Sequence, residues 1–257
     1  MYYTMILQLM QVLFTIAKII WYIYYGDSMK IDTKLKLIIK GIIVFLIFHY
    51  GVYLQLIPIK LFNLDYKNAS SKLLVLLSAF SSICLAFIFF FIYRKDLRKE
   101  FKKFKKDIMG NLDIGIKYWA IGLIIMVVSN FLLTFVFKSG GANNEKAVQE
   151  LIKGLPWLMV IIAGFIAPFN EEIAFRKTLK DVFKNKWLFA FLSFLLFGGA
   201  HVIGEATTLI DYLYIIPYGA LGGAFALAYH ETDTIFTSMF MHMIHNLILA
   251  LMSVLVL

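Results

Sequence analysis

Ionisable and amide side chains interrupt three apolar stretches in the last third of this 257-residue chain. Such groups are costly to place inside a membrane span, so they usually serve a function there. The first stretch ends in two glutamates and an arginine, the next ends in a histidine, and the last contains two histidines and an asparagine. The residues are Glu171, Glu172, Arg176, His201, His242, His245 and Asn246.

Helical spacing sorts these residues into different roles. Glu172 and Arg176 are four residues apart, so they share a helix face and can pair as ions. Glu171 is rotated by about 100° from Glu172 around the helix axis, so it points away from Arg176 and can take a different role. His242 and Asn246 are also four residues apart and can reach one site from one helix.

A carboxylate, two histidines and an amide suit the hydrolysis of a carbonyl compound. Glu171, if shielded from bulk water, can act as a general base toward a water molecule. His201 and His242 can bind a metal that activates water, or they can donate hydrogen bonds to a tetrahedral intermediate. Asn246 suits the donor role. The apolar stretches contain no Ser–His–Asp arrangement and no His-Glu-x-x-His helix that would compete with this interpretation.

The elements that must position these residues are membrane-spanning helices. The chain is 61% hydrophobic and 16% charged, whereas soluble domains are about half apolar and about a quarter charged. Runs of about 20 apolar residues predict an all-α, polytopic transmembrane bundle of about eight spans. The short sixth span, and the seventh with its proline and glycines, could be re-entrant or broken. The spans are Met5–Tyr25, Leu37–Ile59, Leu73–Tyr93, Ile116–Phe137, Leu155–Phe175, Trp187–Ile203, Leu209–Tyr229 and Ile235–Leu257.

Basic residues lie in short clusters between the apolar runs, and the formal net charge is +9. Clusters in such positions set membrane orientation and can contact lipid head groups, so they do not indicate nucleic-acid binding. The segments 94–106 and 176–186 are the most basic and are predicted to be cytosolic, with both chain termini outside. Helix arithmetic brings Glu171, His201 and His242 together near the cytosolic face of a multi-pass cell-membrane protein.

Each candidate residue also has a purely structural interpretation. The glutamate pair could be a solvated helix cap, and His201 and His242 could be packing histidines. Arg176 could extend from the helix end to the membrane surface. The three patterns together favour a site. His245 is interpreted as packing or as a supporting partner, and the remaining polar residues near the spans are interpreted as structural: His49, His230 and Glu231.

The patterns resemble those of a known family. Residues 171–176, Glu-Glu-Ile-Ala-Phe-Arg, resemble the EExxxR motif of the CPBP family, the CAAX proteases and bacteriocin-processing enzymes also called Abi. Residues 197–201, Phe-Gly-Gly-Ala-His, match its FxxxH motif, and residues 242–246, His-Met-Ile-His-Asn, match its HxxxN motif. The resemblance covers roughly residues 117–253. It implies an intramembrane endopeptidase whose conical or membrane-embedded site is formed by the carboxyl-terminal helices.

The resemblance also implies roles for the residues. Glu171 would be the general base, Glu172 and Arg176 would orient it, and Asn246 would support the oxyanion. His201 and His242 would bind a metal or steady the water. With Glu171 they are enough ligands for a divalent metal such as zinc with one open position, and they also suit a metal-free mechanism driven by the glutamate.

The chain is interpreted as one integral membrane domain, residues 1–257. It has a CPBP-like catalytic core at 117–253 and additional transmembrane helices at 1–116. The expected substrate is a peptide or protein presented at the membrane, in CAAX-type cleavage or in pheromone or bacteriocin processing or immunity. Two other functions stay open: a non-catalytic membrane scaffold or immunity protein, and a proton- or ion-coupled transporter. Transporters often show two related halves, and this sequence has no internal repeat.

Overall fold

The structure, a computed structural model, describes residues 32–139 and 141–256 of the chain. This part of the chain is helical and contains no strand, which confirms the predicted all-α fold. We number its helices α1 to α8. Their bounds are α1 Thr33–Leu61, α2 Ser71–Phe104, α3 Ile108–Phe135, α4 Asn143–Gly154, α5 Pro156–Val182, α6 Lys186–Val202, α7 Asp211–Thr232 and α8 Ile235–Leu255.

Seven of these helices coincide with the predicted spans. Six are long and apolar enough to cross a membrane, and α6 is a shorter apolar helix of 17 residues. The predicted first span, Met5–Tyr25, lies outside the described residues. The α7 helix is not broken: it begins with a 3-10 turn, Asp211–Tyr214, and continues from Ile215 to Thr232. Pro217 therefore lies in the first turn of the α-helical part, where its missing N–H group is tolerated.

The α4 helix was not predicted. Residues 138–154 lie between the predicted fourth and fifth spans, and within them Asn143–Gly154 forms a helix of 12 residues, too short to be a span. Val148, Leu151 and Ile152 recur at helical spacing and pack with Val75 of α2 and Met159 of α5. Burial of this apolar stripe stabilises an otherwise polar helix.

The α5 helix, which carries both glutamates, widens twice into π-helical turns, Ile162–Ile166 and Ile173–Lys177. Pro168 follows the first of them. Its ring has no N–H group and would clash with the carbonyl of Gly164 in a regular α-helix, so the chain widens before it. The second π turn lies within the glutamate–arginine motif. Turns of this kind often occur at functional sites.

The α6 and α7 helices pack unusually closely through small residues. A Cβ atom added at Gly198 of α6 would lie 2.6 Å from the carbonyl oxygen of Ile215. One added at Gly222 of α7 would lie 3.0 Å from the carbonyl oxygen of Ser193. The Ser193 hydroxyl in turn donates a hydrogen bond to the Gly222 carbonyl at 3.0 Å. Small residues that let helix backbones approach are the usual device for helix association in membranes, and here they fix the end of α6 that carries His201.

Glu100, near the end of α2, caps the start of α8 from another helix. Its Oε2 accepts a hydrogen bond from the backbone N–H of Ile235 at 2.7 Å, and its backbone carbonyl accepts one from Thr234 Oγ1 at 3.0 Å. Its Oε1 accepts from the Tyr229 hydroxyl at 3.0 Å and lies 3.3 Å from Lys177 Nζ. The first N–H groups of a helix have no partner within the helix. Glu100 supplies one and so fixes the start of α8, the helix that carries His242 and His245.

We expect Glu100→Ala to lower the free energy of unfolding by about 1–3 kcal/mol, because the cap and a charged hydrogen bond are both lost. The measurement is thermal unfolding of the purified protein in detergent. Glu150→Ala is the matched control, because Glu150 pairs with Lys153 at 2.6 Å but is 71% exposed. An exposed pair contributes little, so the control should unfold like the wild type. Equal midpoints for the two variants would contradict the capping role.

Candidate active site

The glutamate–arginine motif forms a fully buried ion pair within α5. Arg176 Nη1 lies 3.3 Å from Glu172 Oε1, and both side chains are 0% exposed. The guanidinium lies over the rings of Phe197 and Phe225, 4.1 Å and 5.7 Å from their centroids. The ion pair and the two ring faces stabilise a charge that would otherwise be costly to bury. Arg176 therefore does not extend to the membrane surface, and the glutamate pair is not a solvated cap.

Glu172 also receives hydrogen bonds from α8. His242 Nδ1 lies 2.9 Å from Oε1, and Ser238 Oγ donates to Oε2 at 2.7 Å. An ionised carboxylate can only accept, so Nδ1 is the donor atom of His242. These two donors use both oxygens of Glu172 and connect α5 to α8, and the Arg176 guanidinium, which makes no hydrogen bond, faces Oε1 as a counter-ion. Glu172 therefore has no oxygen left to act on a water molecule.

Glu171 has the opposite environment. Its side chain is 15% exposed and lies at a cavity. Its Oε2 is buried and has no hydrogen-bond partner among the described residues. His242 Nε2 lies 3.4 Å from this oxygen. A carboxylate with an unused oxygen beside a cavity is placed to take a proton from water, so the adjacent glutamates differ as their helical spacing predicted.

His201 presents one free ring nitrogen to the same cavity. Its Nδ1 lies 2.8 Å from the carbonyl oxygen of Phe197. A carbonyl can only accept, so Nδ1 carries the hydrogen, and Nε2 is the acceptor of the neutral ring. Tyr218 of α7 stacks on this ring at a centroid distance of 4.7 Å and an interplanar angle of 22°. The two contacts fix the orientation of His201.

Asn246 and His245 reach the cavity from α8. Asn246 Nδ2 donates to the carbonyl oxygen of Ala163 at 3.2 Å, within the first π turn of α5. A side-chain amide carries two N–H groups, so one remains for a ligand. The indole N–H of Trp119 on α3 donates to His245 Nδ1 at 3.4 Å. His245 is thus bound to a neighbouring helix, as expected of a packing residue or supporting partner.

One cavity of about 510 Å³ joins these side chains. Ligand pockets commonly have volumes of about 300–1,000 Å³. From Glu171 the cavity extends toward Ala142 and Glu145 at α4 and Ser253 at the end of α8. It therefore leads away from the basic ends of α2 and α5. The predicted position of the site near the cytosolic face stays a prediction. The polar and aromatic residues around its inner part are Glu171, Phe197, His201, Tyr218, His242, His245 and Asn246.

Three partners in this arrangement were missed in the sequence analysis. Ser238 had a signal, because it lies four residues before His242 and so on the same face of a helix. Tyr218 and Trp119 had none, because their contacts depend on how α7 and α3 cross the site. Aromatic residues are 17% of the chain, which makes any single one uninformative.

The predicted metal ligands were Glu171, His201 and His242. In the described part of the chain, no group of three or more His, Cys, Asp or Glu side chains is arranged to hold a metal ion. His242 donates from Nδ1 to Glu172 and keeps Nε2 free, which is also the usual arrangement of a metal-binding histidine. No step proposed below passes through a metal. The divalent metal remains a prediction.

The site lies in a region that matches a family of membrane proteases. Residues 153–248 match the Rce1-like family, described as type II CAAX prenyl endopeptidase Rce1-like. All three motifs fall within this segment, so the resemblance to the CPBP family is confirmed. The segment also lies inside the predicted core, residues 117–253. The match shows a similarity to a family of proteases, and the apolar helices support a membrane protein.

Two relatives extend the similarity beyond that segment. The Bacillus subtilis (strain 168) protein "Putative membrane peptidase YdiL" is 27% identical over 180 residues, which cover 68% of this chain and 70% of that protein. A Mycoplasma capricolum subsp. capricolum protein, "Uncharacterized protein", is 28% identical over 206 residues, 72% of this chain and 59% of that one. No solved structure gives a significant match.

We expect Arg176→Ala to destabilise the protein by about 3–5 kcal/mol, because it leaves the Glu172 carboxylate buried without its cation. Glu172→Gln likewise leaves the buried Arg176 guanidinium without its carboxylate partner. The double variant removes both charges, so its loss of stability should be smaller than the sum of the two single losses. Thermal unfolding in detergent of the three variants measures this. Additive losses would show that the two side chains do not act as a pair.

Proposed function

We propose that the protein is an intramembrane endopeptidase that uses Glu171 to activate water and cleaves a peptide bond of a membrane-associated peptide or protein. The observation that carries this proposal is the contrast between adjacent glutamates. Glu172 is fully buried with both oxygens engaged, and Glu171 has an unused oxygen beside the cavity. The similarity to a family of membrane proteases supports the same function.

The first step is attack by water. Glu171 takes one proton, and the oxygen of the resulting hydroxide bonds to the carbonyl carbon of the scissile peptide. His201 Nε2, the free acceptor of its ring, can accept the second hydrogen of the water and steady it. The carbonyl oxygen becomes the oxyanion of a tetrahedral intermediate.

The second step is collapse of that intermediate. Asn246 lines the cavity, and the N–H that it does not use for Ala163 can stabilise the oxyanion. His242, when protonated, can donate a further hydrogen bond from Nε2 to the oxyanion. The C–N bond then breaks, and Glu171 returns its proton to the leaving nitrogen. The products are a carboxylic acid and an amine, and the glutamate is regenerated as a carboxylate.

Glu172, Arg176 and Ser238 serve as positioning residues in this proposal. They fix the ring of His242 through Nδ1 and keep α8 in register with α5. A position error of about 1 Å can lower a rate by about a hundredfold, so an ion pair that touches no substrate can still matter for turnover.

The substrate we propose is a short segment of a peptide or membrane-associated protein, in CAAX-type cleavage or in the processing of a pheromone or bacteriocin. A cavity of about 510 Å³ accommodates a few residues rather than a folded domain. The transporter alternative needs a path across the membrane. Within the described residues, the cavity is closed on the basic side by Glu172, Arg176 and Ser238, each 0% exposed, which favours an enzyme.

We expect Glu171→Gln to lower the peptidase rate by about a hundredfold to ten-thousandfold, because the amide cannot take a proton. Its unfolding midpoint should stay close to that of the wild type, since the Glu171 side chain makes no hydrogen bond that the fold requires. The measurement is cleavage of a membrane-associated peptide by the purified protein in detergent, beside thermal unfolding.

Glu172→Gln is the matched control, because it makes the same chemical change one residue away. It should retain more activity than Glu171→Gln but lose stability. Wild-type cleavage by Glu171→Gln would disprove the assignment. A well-folded but inactive Glu172→Gln variant, beside an active Glu171→Gln variant, would exchange the two roles.

The metal prediction has its own test. In the mechanism proposed here, activity survives exhaustive chelation, and the purified protein needs no stoichiometric metal. If activity instead disappears with chelation and returns with zinc, elemental analysis should find about one metal per chain. His201→Ala and His242→Ala should then lose the metal. That result would restore the predicted three-ligand site and displace the metal-free mechanism.

A further inference from the structure

The helix bundle has two distinguishable faces. We call the first the basic face. It contains the end of α2, the end of α5 and the turn between α7 and α8. Asp233 in that turn lies 2.7 Å from Lys103 and 3.0 Å from Lys180. At the other, the open face, the start of α4 meets the segment after α6, where Asn143 Nδ2 donates to the Glu205 carbonyl at 2.9 Å.

Positive charge is concentrated on the basic face. The segment 94–106 alone contains eight Lys and Arg residues, and four lysines lie between 177 and 186. On the open face, residues 203–210 contain no Lys or Arg, and the lysines of α4 are accompanied by Glu145 and Glu150. Basic residues in short loops are retained on the cytosolic side of membranes. The basic face is therefore the cytosolic one, and this assignment does not depend on the first predicted span.

The cavity extends from the motif residues toward the open face along two helices. On α8 it is lined from His242 to Ser253, a distance of about 16 Å at 1.5 Å per residue. On α5 it is lined from Glu171 back to Ala163, about 12 Å in the same direction. Its outer part reaches Glu145 in the first turn of α4.

Packed side chains close the route from the basic face. Glu172 and Arg176 lie directly behind Glu171, and Ile235 and Ser238 fill the start of α8; all four are 0% exposed. Beyond them lies the ion pair of Lys177 with Glu100. No residue of 94–106 or of 177–186 lines the cavity.

We propose that the peptidase site is reached from the non-cytosolic side of the membrane, through the open face between the first turn of α4 and the end of α8. The substrate class that follows is a peptide segment exposed on that side, such as an exported peptide or the outer part of a membrane protein. Of the two substrates proposed above, this favours an exported peptide over the carboxyl-terminal tail of a cytosolic protein. The substrate class rests on the proposed function, whereas the direction from which the cavity is reached does not depend on it.

Cysteine labelling tests the direction of access without any activity measurement. Cys84 is the single cysteine of the chain, so Cys84→Ser gives a clean background. Lys146→Cys and Lys102→Cys are matched variants, because both lysines are exposed on helices, one at each face. The probe is a membrane-impermeant maleimide added to spheroplasts of a bacterial host, before and after permeabilisation. We expect full labelling of Lys146→Cys in intact spheroplasts and loss of labelling of Lys102→Cys until the membrane is opened. Any other pattern overturns the orientation.

Glu145→Cys then connects the labelling to the cavity, because Glu145 lines its outer part and is not placed in the catalytic machinery. It should be labelled from the same side as Lys146→Cys, and a bulky maleimide there should abolish cleavage of a peptide substrate. Labelling only after permeabilisation would show that the cavity does not open on this side. If the protein has no peptidase activity at all, the labelling pattern still decides the direction of access, so the two failures are distinguishable.

Discussion

The site depends on one buried charge arrangement, the ion pair of Glu172 and Arg176 in the middle of an apolar helix bundle. Neither charge could remain there alone, because an unpaired ion in such surroundings costs several kcal/mol. The carboxylate gains hydrogen bonds from His242 and Ser238 of α8, and the guanidinium gains the rings of Phe197 and Phe225 from α6 and α7. Four helices are thus held at fixed distances around one residue pair. Glu171, the residue before Glu172, is thereby held in a defined position and does not contribute to that stabilisation.

This arrangement explains how a reactive group can coexist with a stable fold. A general base needs an unsatisfied oxygen, and buried unsatisfied oxygens destabilise proteins. Here the two demands fall on adjacent residues of one helix, which point in different directions because successive residues are about 100° apart. Glu172 is fully engaged, so Glu171 can keep an unused oxygen next to the cavity.

Much of this could be predicted from sequence, because the information is local. The helices follow from apolar runs of membrane-spanning length, and the division of roles between the glutamates follows from a spacing of four residues to Arg176. The rest depends on tertiary contacts. Tyr218 and Trp119 meet the site histidines from helices whose crossing points no periodicity encodes. The α4 helix was overlooked because its apolar stripe is short and its other residues read as a loop. The direction of the cavity required the relative positions of α4, α5 and α8, which no single segment contains.

The π turns of α5 have a consequence for the directions of its side chains. A π turn accommodates one residue more than an α turn, so α5 carries what amounts to two inserted residues, near 162–166 and 173–177. Deleting one residue from the second turn would restore a regular α-helix there, and the residues after the turn would keep their present faces because the widened turn absorbs the extra residue. The side chains inside the turn, Arg176 among them, would instead change direction relative to Glu171.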